Sequence, residues 1–246
     1  MSVADAPHSD DACTDCAIDA PAARPLQYFG YWRDALTGST AEIQDHANIS
    51  LVDDTDHILL SPIGGVILCD DCDVGGLSAN QWSDRKSQVE AAEASYPSAS
   101  HFLINLGDGN GDGKLDFQGI PGFTLPAGVD WIGLECYPAL GWTGCKANLD
   151  LLVPLLPPNG RFWILMPTET EYGNEATLVA NAHELYTGAK SEPLVVGMIG
   201  FVWTNALLCP PADCAHVFAT KELPALLSEM ECIGRAITQP GSPLDC

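Results

Sequence analysis

Trp131-Ile132-Gly133-Leu134 is an apolar run that stops at Glu135-Cys136-Tyr137, and the recurrence of this unit decides the fold. Upstream, Phe102-Leu103-Ile104-Asn105-Leu106 stops at Gly107-Asp108, and Gly65-Val66-Ile67-Leu68-Cys69 stops at Asp70-Asp71. Earlier still, Asn48-Ile49-Ser50-Leu51-Val52 ends at Asp53-Asp54, and Gln27-Tyr28-Phe29-Gly30-Tyr31-Trp32 ends at Arg33-Asp34. Downstream, Phe162-Trp163-Ile164-Leu165-Met166 ends at Pro167-Thr168-Glu169, and the run from Val195 to Val202 ends at Trp203-Thr204-Asn205. Short continuous apolar runs read as strands buried on both faces, as in a parallel sheet covered by helices. In such folds ligands sit beyond the carboxyl ends of the strands, which is where these acids and aromatics fall.

Helix signals lie between the runs. Ser39-Thr40-Ala41-Glu42 and Ser78-Ala79-Asn80-Gln81 match capping boxes, the first opening a helix towards Ala47 and the second a helix to about Ser95, before Pro97. Asn174 to Ala189 and Glu222 to Ile237 read as further helices, the last with Leu223, Leu226, Met230, Ile233 and Ile237 on one face. Alternation of this kind implies an α/β fold with a right-handed, mostly parallel sheet, a (β/α)8 TIM-barrel-like architecture. Seven strands are clear where a closed barrel needs eight, and the shortage lies around the third βα unit. There either Ile58-Leu59-Leu60 acts as a stunted strand or a unit is missing. Residues 1–25 form an acidic, cysteine-containing lead-in, and 26–246 a single barrel-like domain.

The chain of 246 residues carries 10 Lys and Arg against 33 Asp and Glu, a formal charge of −23. That excludes nucleic acid and an anionic membrane surface as partners, and it disfavours a polyanionic substrate; a neutral one is unaffected. No run approaches the ~18 apolar residues of a membrane span. Ten cysteines are many for an intracellular enzyme and read mostly as disulfides, with Cys136–Cys145, Cys209–Cys214 and Cys232–Cys246 as the economical local pairs. The expected location is therefore secreted, periplasmic or at the cell surface. Met1-Ser2-Val3-Ala4-Asp5 is not a signal peptide, so secretion implies a leader outside this sequence.

Asp108-Gly109-Asn110-Gly111-Asp112-Gly113-Lys114-Leu115-Asp116 is the sharpest local motif. Oxygen donors at Asp108, Asn110, Asp112 and Asp116, with the Lys114 carbonyl, follow the spacing of an EF-hand-type loop and imply a structural calcium ion. Gly119 stands where such a loop carries its bidentate Glu, so another acid would have to complete the shell. Cys13-x-x-Cys16 and Cys69-x-x-Cys72 together supply the donors of a four-thiolate zinc site, against which the other six cysteines speak for disulfides, including disulfides joining these two segments. Neither motif opens a helix as a thioredoxin-type redox motif does. No serine-hydrolase elbow, phosphate loop or dinucleotide loop is present.

Val129-Asp130-Trp131-Ile132-Gly133-Leu134-Glu135-Cys136-Tyr137 and Val195-Val196-Gly197-Met198-Ile199-Gly200-Phe201-Val202-Trp203 resemble the sixth and eighth strands of secreted TIM-barrel proteins of the glycoside-hydrolase-like type, which read roughly VDWxGxDxY and VVGxxxFxW. The fourth strand of that family ends in an Asp-Glu pair, onto which Asp70-Asp71 falls with Asp71 in place of the Glu. Gly30-Tyr31-Trp32 and Ile233-Gly234-Arg235 also match, so the resemblance spans about residues 27 to 237. It implies a carbohydrate substrate and hydrolysis by two carboxyl groups flanking the glycosidic bond. On that pattern Asp71 is the general acid, with Asp70 raising its pKa, Glu135 the nucleophile or general base, and Glu169 the reserve for either role. Tyr31, Trp32, Tyr137, Trp142 and Trp203 are candidate stacking platforms for sugar rings, and Asn205 a hydrogen-bond partner for a hydroxyl. Trp131 and Trp163, earlier in their strands, read as core. Two other functions remain open: a carbohydrate-binding barrel without catalysis, and a metal-dependent hydrolase built on Asp53, His57, Asp70 and Asp108.

Overall fold

The computed structural model describes residues 26, 28–34, 49–53, 58–60, 65–97, 99–109, 112–201 and 218–238, with the backbone alone described in the first three strands. The proposed helix from Ser39, the cysteines at 13, 16, 209, 214 and 246, and Asn110, Trp203 and Asn205 lie outside these residues. So do the side chains of Tyr31, Trp32, Asp53 and His57.

Eight strands form one sheet: β1 (Tyr28–Asp34), β2 (Ile49–Asp53), β3 (Ile58–Leu60), β4 (Gly65–Cys69), β5 (His101–Leu106), β6 (Trp131–Glu135), β7 (Arg161–Pro167) and β8 (Val195–Phe201). Their order is β2-β1-β8-β7-β6-β5-β4-β3, and every pair is parallel except β3 with β4. The four described helices are α1 (Ala79–Glu93), α2 (Gly141–Leu152), α3 (Glu175–Ala189) and α4 (Pro224–Thr238), and each lies between or after parallel strands. The fold is therefore α/β with a largely parallel sheet, as the apolar runs imply. β2 and β3 are the outer strands of the ladder; no ladder joins them among the described residues, yet their Cα atoms approach within 8 Å.

The short strand Ile58–Leu60 exists, but it runs antiparallel to β4. Its direction follows from its connections. Residues 54–57 and 61–64 are the only links to β2 and β4, and a parallel crossover needs a dozen residues or more.

Strand parity sorts the side chains. Ile104, Leu106, Ile132, Leu134, Phe162, Ile164 and Met166 pack with Leu149, Leu178, Leu185, Leu226 and Met230 of the helices. The alternate residues face the other side, where Trp131 and Trp163 are fully buried as expected, together with Leu103. Helix starts follow their caps: Ser78 and Gln81 make both bonds of a capping box, and the Asn174 side chain accepts from the Thr177 N–H. α4 buries Leu226, Met230, Ile233 and Ile237 along one stripe, and Leu223 is buried just ahead of it. Helix α2 carries no sequence signal of its own. Trp142 lies in it, against Gly188 of α3 on the helical layer, and so is not a platform at the strand ends. Among the described residues no helix is long and apolar enough to cross a membrane.

Cys136–Cys145 is formed as expected, and Cys69 pairs with Cys72. Cys232 is disulfide-bonded as well. With Cys69 and Cys72 bonded to each other, neither crosslinks to the lead-in, which corrects the expectation of disulfides joining the two segments.

Candidate functional site

The site gathers at the carboxyl ends of β4, β5 and β6. β4 carries a register irregularity between Ile67 and Cys69, which re-aims the chain just before Asp70-Asp71. Asp70 and Asp71 are exposed, whereas Glu135 at the end of β6 is half-buried. One carboxylate oxygen from each of the three lies within 4.8 Å of the others. Asn105, fully buried near the end of β5, ties them together: its Nδ2 donates to Asp70 Oδ1 at 2.8 Å and to Glu135 Oε1 at 3.0 Å. Tyr137 donates its hydroxyl to Glu135 Oε2 at 2.5 Å and stacks on Tyr172 with ring centroids 4.5 Å apart.

Two glycines make room for this arrangement. A Cβ on Gly107 would fall 2.5 Å from Asp71 Oδ1 and 2.8 Å from Glu135 Oε2, inside the carboxylate cluster. One on Gly133 would fall 2.8 Å from Asn105 Oδ1, displacing the amide that links the acids. Asp71 itself is left-handed (φ 46°), the one non-glycine residue in that region among those described. The segment after it is anchored: Cys72 N–H donates to the Asn105 carbonyl at 3.0 Å. Asp73, fully buried, accepts from the N–H groups of Gly107 (2.9 Å) and Phe117 (2.7 Å).

Burial raises the Glu135 carboxyl to about 9, with the charge of Asp71 next and that of Asp70 adding to it, while the Tyr137 hydroxyl works the other way. Glu135 therefore holds a proton at neutral pH. Tyr137 is pushed far above the usual phenol range by burial and by the adjacent Glu135, and Tyr172 is raised by burial to about 12. Asp73 is raised by burial to about 7 against its two backbone donors.

Glu169 sits past the end of β7, where Thr168 N–H still pairs with the Phe201 carbonyl and Glu169 itself bridges Ala219. It is fully buried, and neither carboxylate oxygen has a hydrogen-bond partner among the described residues. Burial, with Glu171 adding, raises it to about 7. The charges of both Glu169 and Glu135 act on Tyr172, so the tyrosine pair lies between the two acids electrostatically.

Of the residues expected to carry chemistry, the structure thus brings Asp70, Asp71, Glu135 and Tyr137 together and leaves Glu169 buried nearby. Of the expected calcium loop, Asn110 lies outside the described residues, and the rest makes the following contacts. Asp108 accepts from the N–H groups of Asp112 (3.1 Å) and Gly113 (2.7 Å), Asp112 from Lys114 N–H (2.9 Å), and Asp116 from Gly75 N–H (3.2 Å). The first three are turn contacts within the loop and the last ties it to the segment after β4, while the acids that converge on one point among the described residues are Asp70, Asp71 and Glu135. Their spacing is close enough for one small divalent cation. Asp108 belongs to its own turn, and the Asp53, His57, Asp70 and Asp108 grouping lies in part outside the described side chains. Asn105, Asp73 and Tyr172 are not singled out by the sequence reading. A signal existed for Asn105, a polar side chain inside the apolar run of residues 102–106 and two residues ahead of Gly107.

No family model matches the chain, and neither the curated proteins nor the solved structures give a match.

Proposed function

We propose that this chain is a secreted glycoside hydrolase that cleaves a neutral poly- or oligosaccharide with Glu135 and Asp71 as its carboxyl pair. The observation that carries the reading is a half-buried Glu135, its carboxyl raised by burial, beside the exposed Asp70-Asp71 at the carboxyl rim of a parallel sheet. Acid–base hydrolysis needs one carboxyl group that keeps its proton and one that does not, held apart by environment. On this reading the roles that the resemblance implies are exchanged: Glu135, whose carboxyl burial raises, is the proton donor, and Asp71 the partner that attacks or stabilises the sugar. Oxygens within 4.8 Å of one another are nearer the roughly 5–5.5 Å carboxyl spacing of retaining enzymes than the roughly 6.5–9.5 Å of inverting ones, which favours retention. Tyr137 and Tyr172 offer a stacked aromatic wall beside the acids. The approach of β2 to β3 supports a closed eight-stranded barrel with one antiparallel member.

The test is sugar release from a panel of neutral glycans by the wild type, Glu135→Gln and Asp71→Asn, with folding followed by circular dichroism. Turnover that falls at least 100-fold in both folded variants, with retained anomeric configuration by NMR, is the expected result. Activity surviving both substitutions places the chemistry elsewhere, and no release from any glycan by the wild type favours a binding barrel.

A second reading has its own observation. The same three oxygens converge as ligands of a hydrolytic divalent cation would. In that case a chelator abolishes turnover and a divalent salt restores it, whereas the carboxyl-pair mechanism is indifferent to both.

A further inference from the structure

We propose that the Cys69–Cys72 disulfide is a thiol–disulfide exchange site, taking a small dithiol or a dithiol protein as its partner, and that its redox state sets the geometry of the acid pair it encloses. The disulfide closes a ring around Asp70 and Asp71 alone. Within that ring Asp71 holds a left-handed backbone (φ 46°), less favourable for a non-glycine residue than negative φ, and its Oδ1 points to the place where Gly107 and Glu135 meet. Release of the ring removes the constraint, and relaxation of Asp71 to negative φ swings both carboxylates away from Glu135 and Asn105.

The movement is local because both flanks are fixed. β4 is held in its ladder up to Cys69, while Cys72 N–H is bonded to the Asn105 carbonyl and Asp73 accepts two backbone N–H groups. Opening the disulfide therefore frees two residues and leaves the sheet intact.

Access favours exchange at one sulfur. Cys69 is half-buried, whereas Cys72 is fully buried and the other disulfide with both partners described, Cys136–Cys145, is 1% exposed at each cysteine. Arg85 Nη1 lies 3.6 Å from Cys69 Sγ, which places a positive charge where an attacking thiolate arrives. The thiolate of the dithiol attacks Cys69 Sγ, the S–S bond breaks, and Cys72 leaves as a thiolate that takes up a proton. The second thiol of the reductant then attacks the mixed disulfide at its own sulfur and releases Cys69, which is protonated in turn. In sum the protein disulfide gains two electrons and two protons, and the dithiol becomes a disulfide.

The proposal concerns the geometry of the acids and holds whether or not they cleave glycans. Graded dithiothreitol on the full chain at neutral pH, followed by alkylation and mass mapping, should open Cys69–Cys72 before Cys136–Cys145, with far-ultraviolet circular dichroism unchanged. In that state the carboxyl carbon resonances of Asp70, Asp71 and Glu135 move while that of Asp130 stays, and any glycan turnover falls at least tenfold and returns on reoxidation with oxidised glutathione. If the wild type proves inactive on every glycan, the resonances alone decide. Cys69→Ser with Cys72→Ser should reproduce the reduced spectrum; if that variant does not fold, the reduced wild type supplies the comparison. A Cys69–Cys72 bond that resists until Cys136–Cys145 opens, or one that opens with resonances unchanged, overturns the proposal.

Discussion

Glu169 shows how a single residue combines cost and information. A fully buried carboxyl with two unpartnered oxygens is expensive when ionised, and burial accordingly raises it from 4.5 to about 7. A carboxyl whose folded pKa lies above its unfolded value favours folding only while protonated. Its contribution is intact below about pH 4.5 and is lost as the pH climbs through 7. Glu169→Gln removes that loss. The variant should match the wild type near pH 4 and exceed it by about 2–3 kcal/mol at pH 8, as read from urea midpoints at each pH. A variant less stable at both values would show that the carboxylate has a partner in the fold. Such a residue is visible in the sequence only as an acid following a strand, in the same guise as Glu135 and Asp108. What separates the three is their surroundings: Asp108 caps its own turn, Glu135 shares two donors, and Glu169 has none among the described residues. Those differences arise from packing between distant segments, which no local spacing encodes.

Elements are legible where a side chain announces them. Strands β4 to β8 are readable because both their faces are buried and their residues are apolar almost throughout. α1 and α3 are readable because Ser78 and Asn174 satisfy the first free N–H groups of each helix. α2 has no such marker. Leu140 stands at its N-cap with no side-chain hydrogen bond, and its Trp142 resembles a rim aromatic when only the distance from the strand end is counted. The antiparallel sense of β3 is implicit in the short links on either side, although the strand's own residues announce only its existence. Capping also yields a prediction of its own. In α1 the Ser78 side chain accepts from Gln81 N–H at 3.4 Å, and Gln81 Oε1 accepts from Ser78 N–H at 2.9 Å. Ser78→Ala breaks the first, together with the bond its hydroxyl donates to Gln81 Oε1 at 2.7 Å, and should cost about 1 kcal/mol in urea denaturation, with ligand binding and turnover unchanged. Because α1 directly follows the Cys69–Cys72 ring, a loss of activity in this variant would mean that the helix start helps to hold the acids.

At the scale of the whole molecule, the excess of negative charge is what the fold leaves uncompensated. With 33 acidic and 10 basic side chains the net charge is −23, and the candidate site adds Asp70 and Asp71 at its mouth. Self-repulsion of this size destabilises a compact state, and it acts through distances that salt can screen. The Debye length falls from about 30 Å at 0.01 M to about 10 Å at 0.1 M, so most of the repulsion is removed within that range. The thermal midpoint should rise by several degrees between those concentrations and then level off, equally in sodium and potassium chloride. A rise confined to divalent salts, saturating well below 0.1 M, would instead identify a bound cation and lend weight to the convergent oxygens of Asp70, Asp71 and Glu135. The same field sorts substrates. A neutral glycan feels none of it, so its KM should not change across the salt series, while a polymer of free amino sugars would be drawn in at low salt and lose affinity as salt rises. Constant KM with a rising thermal midpoint is the outcome expected of a site that recognises neutral sugars through hydrogen bonds and the stacked Tyr137–Tyr172 wall.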